Sequence, residues 1–261
     1  DDVKVTGYNV TLDDMTIYGD LTIDDDVREG SVDLEDVTIK GNVYIEGGGE
    51  NSVTFEDCEI SGNIYVRKSY KNDPVAVEFD NYTAKHIDGK VVISKNGAII
   101  KESKNESGAI IDNIEVKTSS EVVIGTDVKN LDVMTKTSNL TINSGSDITK
   151  LTVSTNAKGS TFTVKGKVKE IYTNVDITVN GSGTVEKTSG SGTVNGISVT
   201  GVKLDKTTAQ MKPGETLKLT ATVEPPTATN QNVTWTTNND QVATVNDGVV
   251  TAVGEGTTTI T

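Results

Sequence analysis

Apolar and polar residues alternate along this chain in short runs, and between residues 10 and 66 one such run is written three times. Val10-Thr-Leu12-Asp-Asp-Met15-Thr-Ile17-Tyr-Gly19-Asp-Leu21-Thr-Ile23 is the first copy. Val32-Asp-Leu34-Glu-Asp-Val37-Thr-Ile39-Lys-Gly41-Asn-Val43-Tyr-Ile45 is the second, and Val53-Thr-Phe55-Glu-Asp-Cys58-Glu-Ile60-Ser-Gly62-Asn-Ile64-Tyr-Val66 the third. Alternation with a period of two predicts strands with one face inward. Gly19 to Gly41 is 22 residues and Gly41 to Gly62 is 21. A near-fixed period of this size predicts stacked coils.

Parity assigns the sides. Val10, Leu12, Met15, Ile17, Leu21 and Ile23 point inward. Asp13-Asp14 breaks the alternation and marks a corner, Gly19-Asp20 marks a second, and a loop closes the turn. The expected fold of this region is a right-handed parallel β-helix, a three-sided solenoid with like residues stacked about 4.8 Å apart. Its hand follows the rule for parallel crossovers. A modified fourth copy is expected over 77–93, interrupted by Lys85-His86. Beyond it Val122-Val-Ile124, Leu140-Thr-Ile142, Phe162-Thr-Val164 and Ile177-Thr-Val179 recur at intervals of 18, 22 and 15. The Gly- and Ser-rich stretch 181–194 reads as last thin coils, with a flexible linker as the alternative.

Thr, Ser, Asn, Gly, Val and Ile dominate, and no window carries sustained helical spacing, so the chain is expected to be all-β. No run approaches about 18 apolar residues, which argues against membrane insertion. Asp1-Asp2 opens the chain without Met or a signal-like segment, as in a mature or trimmed fragment. The single cysteine, Cys58, stands where Met15 and Val37 stand in the sister copies and reads as a small buried hydrophobe.

From residue 199 the style changes. Met211-Lys-Pro213-Gly214-Glu-Thr-Leu217, Pro225-Pro226-Thr-Ala-Thr-Asn230, Val233-Thr-Trp235, Val242-Ala-Thr-Val245, Gly248-Val-Val-Thr-Ala252 and Gly254-Glu-Gly-Thr-Thr-Thr-Ile260 are short strands separated by turns. Such spacing predicts an Ig-like β-sandwich with Trp235 in its core. The stretch closely resembles the bacterial immunoglobulin-like domain of group 2. The expected division is a parallel β-helix over 1–198 and an Ig-like domain over 199–261, lacking its last strand. The resemblance implies a secreted or bacterial cell-surface protein, an adhesin or a wall-linked, glycan-handling one. The solenoid resembles β-helical repeats of Gram-positive surface proteins and has the general pectin-lyase-like shape.

Net charge is −14, and residues 1–60 hold 17 acids against 3 bases, so the acidity belongs to the repeats. That surface repels phosphate backbones and excludes nucleic acid as a partner. Stacking turns the acids into rows: Asp13, Glu35, Glu56 and Asp80 in one, Asp14, Asp36 and Asp57 in another, continued by Asn81. Like charges about 4.8 Å apart repel by about 3–4 kcal/mol at an effective dielectric near 20, and far less in water. A hard cation would relieve that, which makes calcium the candidate ligand of Asp14, Asp36 and Asp57; a solvated acidic edge needs no cofactor. Asp24-Asp25-Asp26 fails as an EF-hand, because Arg28 and Glu29 fill the fifth and sixth positions. Asp20, Asn42 and Asn63 form a third row, expected to bond along the column. Gly47-Gly48-Gly49-Glu50-Asn51 reads as a turn.

Tyr44 and Tyr65 fall on adjacent coils and point outward, a candidate platform for sugar rings; an ordinary cross-rung pair is the plainer alternative. The loop carrying Arg67, Lys68, Tyr70 and Lys71 is basic beside acidic ones and is the expected wall of any groove. The expected function is a non-catalytic surface module for adhesion or for contact with polysaccharide or cell wall. A β-helix polysaccharide lyase or hydrolase is the alternative, and a structural stalk or spacer the third. Hydrolysis needs two carboxylates set apart across a cleft, and these acids come as regular ladders. Oligomeric state and ligand identity have no signature in the sequence.

Overall fold

The computed structural model describes residues 1–49, 53–68, 73–80, 87–102 and 110–261. It divides into two units, Asp1–Ile197 and Ser198–Thr261. The N-terminal unit is a β-solenoid of stacked parallel coils. The chain alternates between two sheets, ten strands in the first and eleven in the second among the described residues. Val3–Val5, Leu21–Ile23, Val43–Ile45, Ile64–Val66 and Val91–Ile93 begin the first sheet. Val10–Ile17, Val32–Ile39, Val53–Glu56, Val75–Asp80 and Ala98–Glu102 begin the second.

Like residues stack as parity requires. Val10, Val32, Val53 and Val77 are register partners in turn, as are Leu12, Leu34, Phe55 and Phe79. Ile23, Ile45, Val66 and Ile93 make an inward column of the first sheet. Phe55 and Phe79 stack with ring centroids 5.5 Å apart. Cys58 is buried in the same core. Met15 departs from its sisters and is 40 % exposed, whereas Val37 and Cys58 are buried. Its strand is the terminal one of the second sheet, so no coil covers it from below.

The corner at Asp13-Asp14 takes an unexpected form. It separates no third sheet: the register runs on from Asp13↔Glu35 to Met15↔Val37 and skips one residue, Asp14 opposite Asp36. Asp14, Asp36 and Asp57 all have positive φ, at 45°, 51° and 50°. Asp is among the few side chains that tolerate this conformation, because its short polar group bonds locally. The Asp column is therefore what a one-residue left-handed kink requires. In the third coil the kink splits the strand, and Glu59–Ile60 pairs separately with Thr38 and Ile39.

Beyond residue 110 the long, kinked strands change sheets. Ile110–Val116, Asp127–Val133, Asp147–Val153, Lys167–Thr173 and Thr184–Ser189 belong to the first sheet, and short strands such as Val122–Gly125 and Leu140–Ile142 fill the second. Their registers skip Asp112, Lys129, Thr149, Lys169 and Glu186. Ile177-Thr-Val179 does not repeat Phe162-Thr-Val164 in register: Val179 lies opposite Phe162, a slip of two residues. A slip of two preserves the inward face, so alternation alone does not reveal it. Thr184–Ser189 and Val194–Asn195 are paired strands, which makes 181–194 thin coils.

The C-terminal unit holds two small antiparallel sheets. Gly201–Leu204 pairs with Ala221–Glu224, and Val249–Ala252 lies between Thr216–Lys218 and Ala243–Asn246. Its core is Leu219, Ala243 and Val250, with Met211, Leu217, Trp235, Val245 and Ile260 partly buried against it. Residues 259–261 bond back to 236–238 through paired backbone groups. Among the described residues no helix is long and apolar enough to cross a membrane.

Candidate functional site

The outer face of the first sheet brings Tyr44, Tyr65 and Arg67 together. Tyr44 and Tyr65 sit at mid-strand between inward pairs Val43/Ile45 and Ile64/Val66, which are completely buried. Alternation therefore sends both rings outward. They stack on each other with centroids 5.2 Å apart and planes 11° from parallel. Arg67 lies over the Tyr44 ring, its guanidinium carbon 4.3 Å from the centroid. It is held there by Glu46, whose Oε1 accepts from Nη2 at 2.8 Å and Nε at 2.9 Å. Asn63 donates its amide N–H to the Tyr65 hydroxyl at 3.2 Å. The pair is thus fixed in place by neighbours on both coils.

Register sets what lies above and below. Thr22 is the partner of Tyr44 on the preceding coil, and Val92 that of Tyr65 on the following one. Val92 is only 5 % exposed although it points out of the sheet. Thr22 and Tyr44 are both half-buried. Lys4 occupies the next position of the same row and pairs with Asp24 at 2.6 Å. Hydrogen bonds from Lys4 and from the Asp26 backbone N–H hold the Asp24 carboxyl below its ordinary range.

Above Val92 the row continues with Glu115, 8 % exposed, which sequence reading passed over. It accepts from Lys90 and, at 2.9 Å, from Lys117. Burial pushes the Glu115 carboxyl up, but the two lysine hydrogen bonds outweigh it and leave it lowered. Lys90 is raised by its bond to Glu115. The signal was present: Ile114-Glu115-Val116 has the same parity as Ile64-Tyr65-Val66, and aligning them puts Glu115 in the tyrosine row. Glu46 and Arg67 are likewise equivalent positions of adjacent coils.

Asp20, Asn42 and Asn63 do bond along the column. The Asp2 side chain accepts from the Asp20 N–H at 2.9 Å, Asp20 from Asn42 at 2.6 Å, Asn42 from Asn63 at 3.0 Å, and Asn63 from Lys90 at 3.0 Å. Gly19, Gly41, Gly62 and Gly89 run beside it, and a Cβ on Gly41, Gly62 or Gly89 would overlap the backbone of the coil below.

Other expected residues fall elsewhere. Lys68 is not part of a basic groove wall; its side chain is completely buried between Glu29 and Asp73. Tyr70, Lys71, Asn81, Lys85, His86, Glu50 and Asn51 lie outside the described residues. Gly47, Gly48 and Gly49 are buried, and the Gly49 carbonyl accepts from the Ala76 N–H. Asp13, Glu35, Glu56 and Asp80 form one register row. Among the described residues the acids whose ligand atoms converge to within 4.8 Å are Asp24, Asp25 and Asp26, and Asp14, Asp36 and Asp57 form no such group.

Residues 198–261 match the family described as bacterial Ig-like domain (group 2). Domains of that family occur in bacterial surface proteins. Neither curated proteins nor solved structures gave a match to the chain.

Proposed function

We propose that this chain is a non-catalytic bacterial surface module that binds polysaccharide on the outer face of its first sheet. The observation that supports this reading is the outward tyrosine pair, held in place by Arg67, Glu46 and Asn63. Coils repeat at about 4.8 Å, so a pyranose ring placed at the level of Thr22 would continue the stack below Tyr44 at ring-to-sugar spacing. Its apolar C–H face would cover the phenol, and its hydroxyls would meet polar groups beside it: Asp20, Asn42 and the Lys4–Asp24 pair. The two buried carboxylates along this row, Asp24 and Glu115, are both held below their ordinary range by lysine hydrogen bonds, and such groups are poorly suited to give a proton near neutral pH.

A glycan array with the full chain tests the reading, with reducing-end and unsaturated-product assays on every glycan that binds. Expected is retention of particular glycans without product, abolished in Tyr44→Ala. Tyr65→Ala is expected to weaken binding less, because that ring supports Tyr44 from the next coil. Undiminished binding by Tyr44→Ala removes the platform, and product release removes the non-catalytic assignment. The same array run with EDTA reports on calcium, since loss of binding there would implicate the acidic repeats. Failure to retain any glycan or wall preparation would favour a stalk.

A further inference from the structure

Lys68 is the one completely buried lysine among the described residues. Its Nζ donates to Glu29 Oε1 at 3.3 Å and lies 3.5 Å from Asp73 Oδ1. That Asp73 oxygen is itself buried and makes no hydrogen bond. Glu29, Gly49 and the Lys68–Asp73 pair come from successive closing loops of the solenoid. A Cβ at Gly49 would overlap the backbone and carboxylate of Glu29, so glycine there lets the loops close over the amine. Sealing an ammonium away from water is costly and is tolerated where the charge is well paired. A purely ionic arrangement of three groups would place both carboxylates in charge-assisted hydrogen bonds at about 2.7–2.9 Å. Here the Asp73 oxygen stands 3.5 Å from the amine, buried and without a hydrogen bond, so the two groups are held side by side out of water.

We propose that Lys68 and Asp73 condense to an intramolecular amide, with Glu29 carrying the proton. Glu29 takes a proton from the Lys68 ammonium, and the neutral Nζ attacks Cγ of Asp73. The N–Cγ bond forms, one Cγ–O bond breaks, and that oxygen leaves as water with the two protons shed by nitrogen. Ammonium plus carboxylate become amide plus water, with no change of oxidation state and with Glu29 returned to its carboxylate. The residue after Asp73 is Pro74, whose nitrogen carries no hydrogen. Asp73 therefore cannot lose water by cyclising onto the next backbone amide, which leaves Lys68 as the nucleophile in reach. The bond would tie Lys68, just after Ile64–Val66, to Asp73, just before Val75–Asp80. It is independent of the polysaccharide reading.

Intact-mass measurement and tryptic mapping of the purified chain test it. Expected is a mass one water below that of the sequence, and a branched peptide joining 68–71 to 72–85 with no cleavage after Lys68. Glu29→Gln, Lys68→Arg and Asp73→Ala are each expected at full sequence mass. Circular dichroism shows which variants fold, and Glu29→Gln removes the proton carrier while keeping both reacting groups. Wild-type chain at full sequence mass, cleaved normally after Lys68, overturns the proposal and leaves a buried ion pair. That result does not depend on any variant folding.

Discussion

The two halves of the solenoid solve one problem with different chemistry. Up to about residue 100 the kink lies in the second sheet, every kink residue seen is Asp with positive φ, and the facing corner is tied by side chains that bond from coil to coil. Beyond residue 110 the kink lies in the first sheet, its residues are mixed in charge, and buried hydroxyls close the corners. Thr137 Oγ1 accepts from the Asn139 N–H and Thr173 Oγ1 from the Val175 N–H, both within one coil. Ser146 and Ser160 donate to the Ile124 and Ala157 carbonyls. Both schemes tie coil to coil, since Asp127 Oδ1 accepts from the Asp147 N–H and Ser160 Oγ from the Thr137 N–H, but the second adds hydroxyl bonds that close within one coil. A repeating coil thus specifies its inward residues tightly, while its corner admits several ways of satisfying the same backbone groups.

The largest contrast is expected in the core. Phe55→Ala should cost about 3–5 kcal/mol, since it empties a buried site and removes the partner of Phe79. Phe162→Ala should cost less, with Leu140 and Val179 as register partners, and urea titration of both compares them. Gly41→Ala should follow at about 1–3 kcal/mol, because its Cβ would meet the Gly19 carbonyl and the Asp20 side chain. Gly145→Ala meets nothing within 4 Å and should cost about 1 kcal/mol, from its φ of 89° alone. Equal losses at the two glycines would mean that overlap with the coil below adds nothing to the cost.

Asn42→Ala should cost about 1–2 kcal/mol by orphaning the Asn63 N–H. Hydrogen exchange should quicken at Asn63, in the next coil, whereas in Thr173→Val it should quicken at Val175 of the same coil. Glu115 adds a pH-dependent term. Its folded value is depressed, so its contribution is complete above the ordinary glutamate value of 4.5 and is lost as pH falls through the depressed one. Glu115→Gln should flatten that acid limb and cost about 1 kcal/mol at neutral pH, discounted because both lysines are half-exposed. The smallest effect is expected at Asp14→Asn, which keeps the left-handed conformation and removes one charge of the row. Melting should rise slightly at low salt and match wild type at high salt.

The inward columns were legible because burial leaves a period-two signature and the repeat supplies their register. The tyrosine pair was legible for the same reason. What escaped was carried by residues outside that period. The two-residue slip at Ile177–Val179 keeps inward residues inward, so parity could not register it. Lys68 looks from its neighbours like one more basic loop residue, and only the approach of Glu29 from a loop 39 positions earlier buries it. The kink was visible as a break in alternation at Asp13-Asp14, but whether such a break opens a new sheet depends on backbone angles that polarity does not encode.

The column of Asp2, Asp20, Asn42 and Asn63 has a direction. In each step a side-chain oxygen of one coil receives the backbone N–H of the next, so a coil must bring an acceptor only if another is to follow. Lys90 ends the series by supplying its N–H, which any residue but proline can do. Its side chain is thereby released from the corner and turns to Glu115. The last subscriber to such a column is exempt from its rule, and the surface chemistry of the solenoid is free to change from that coil onward.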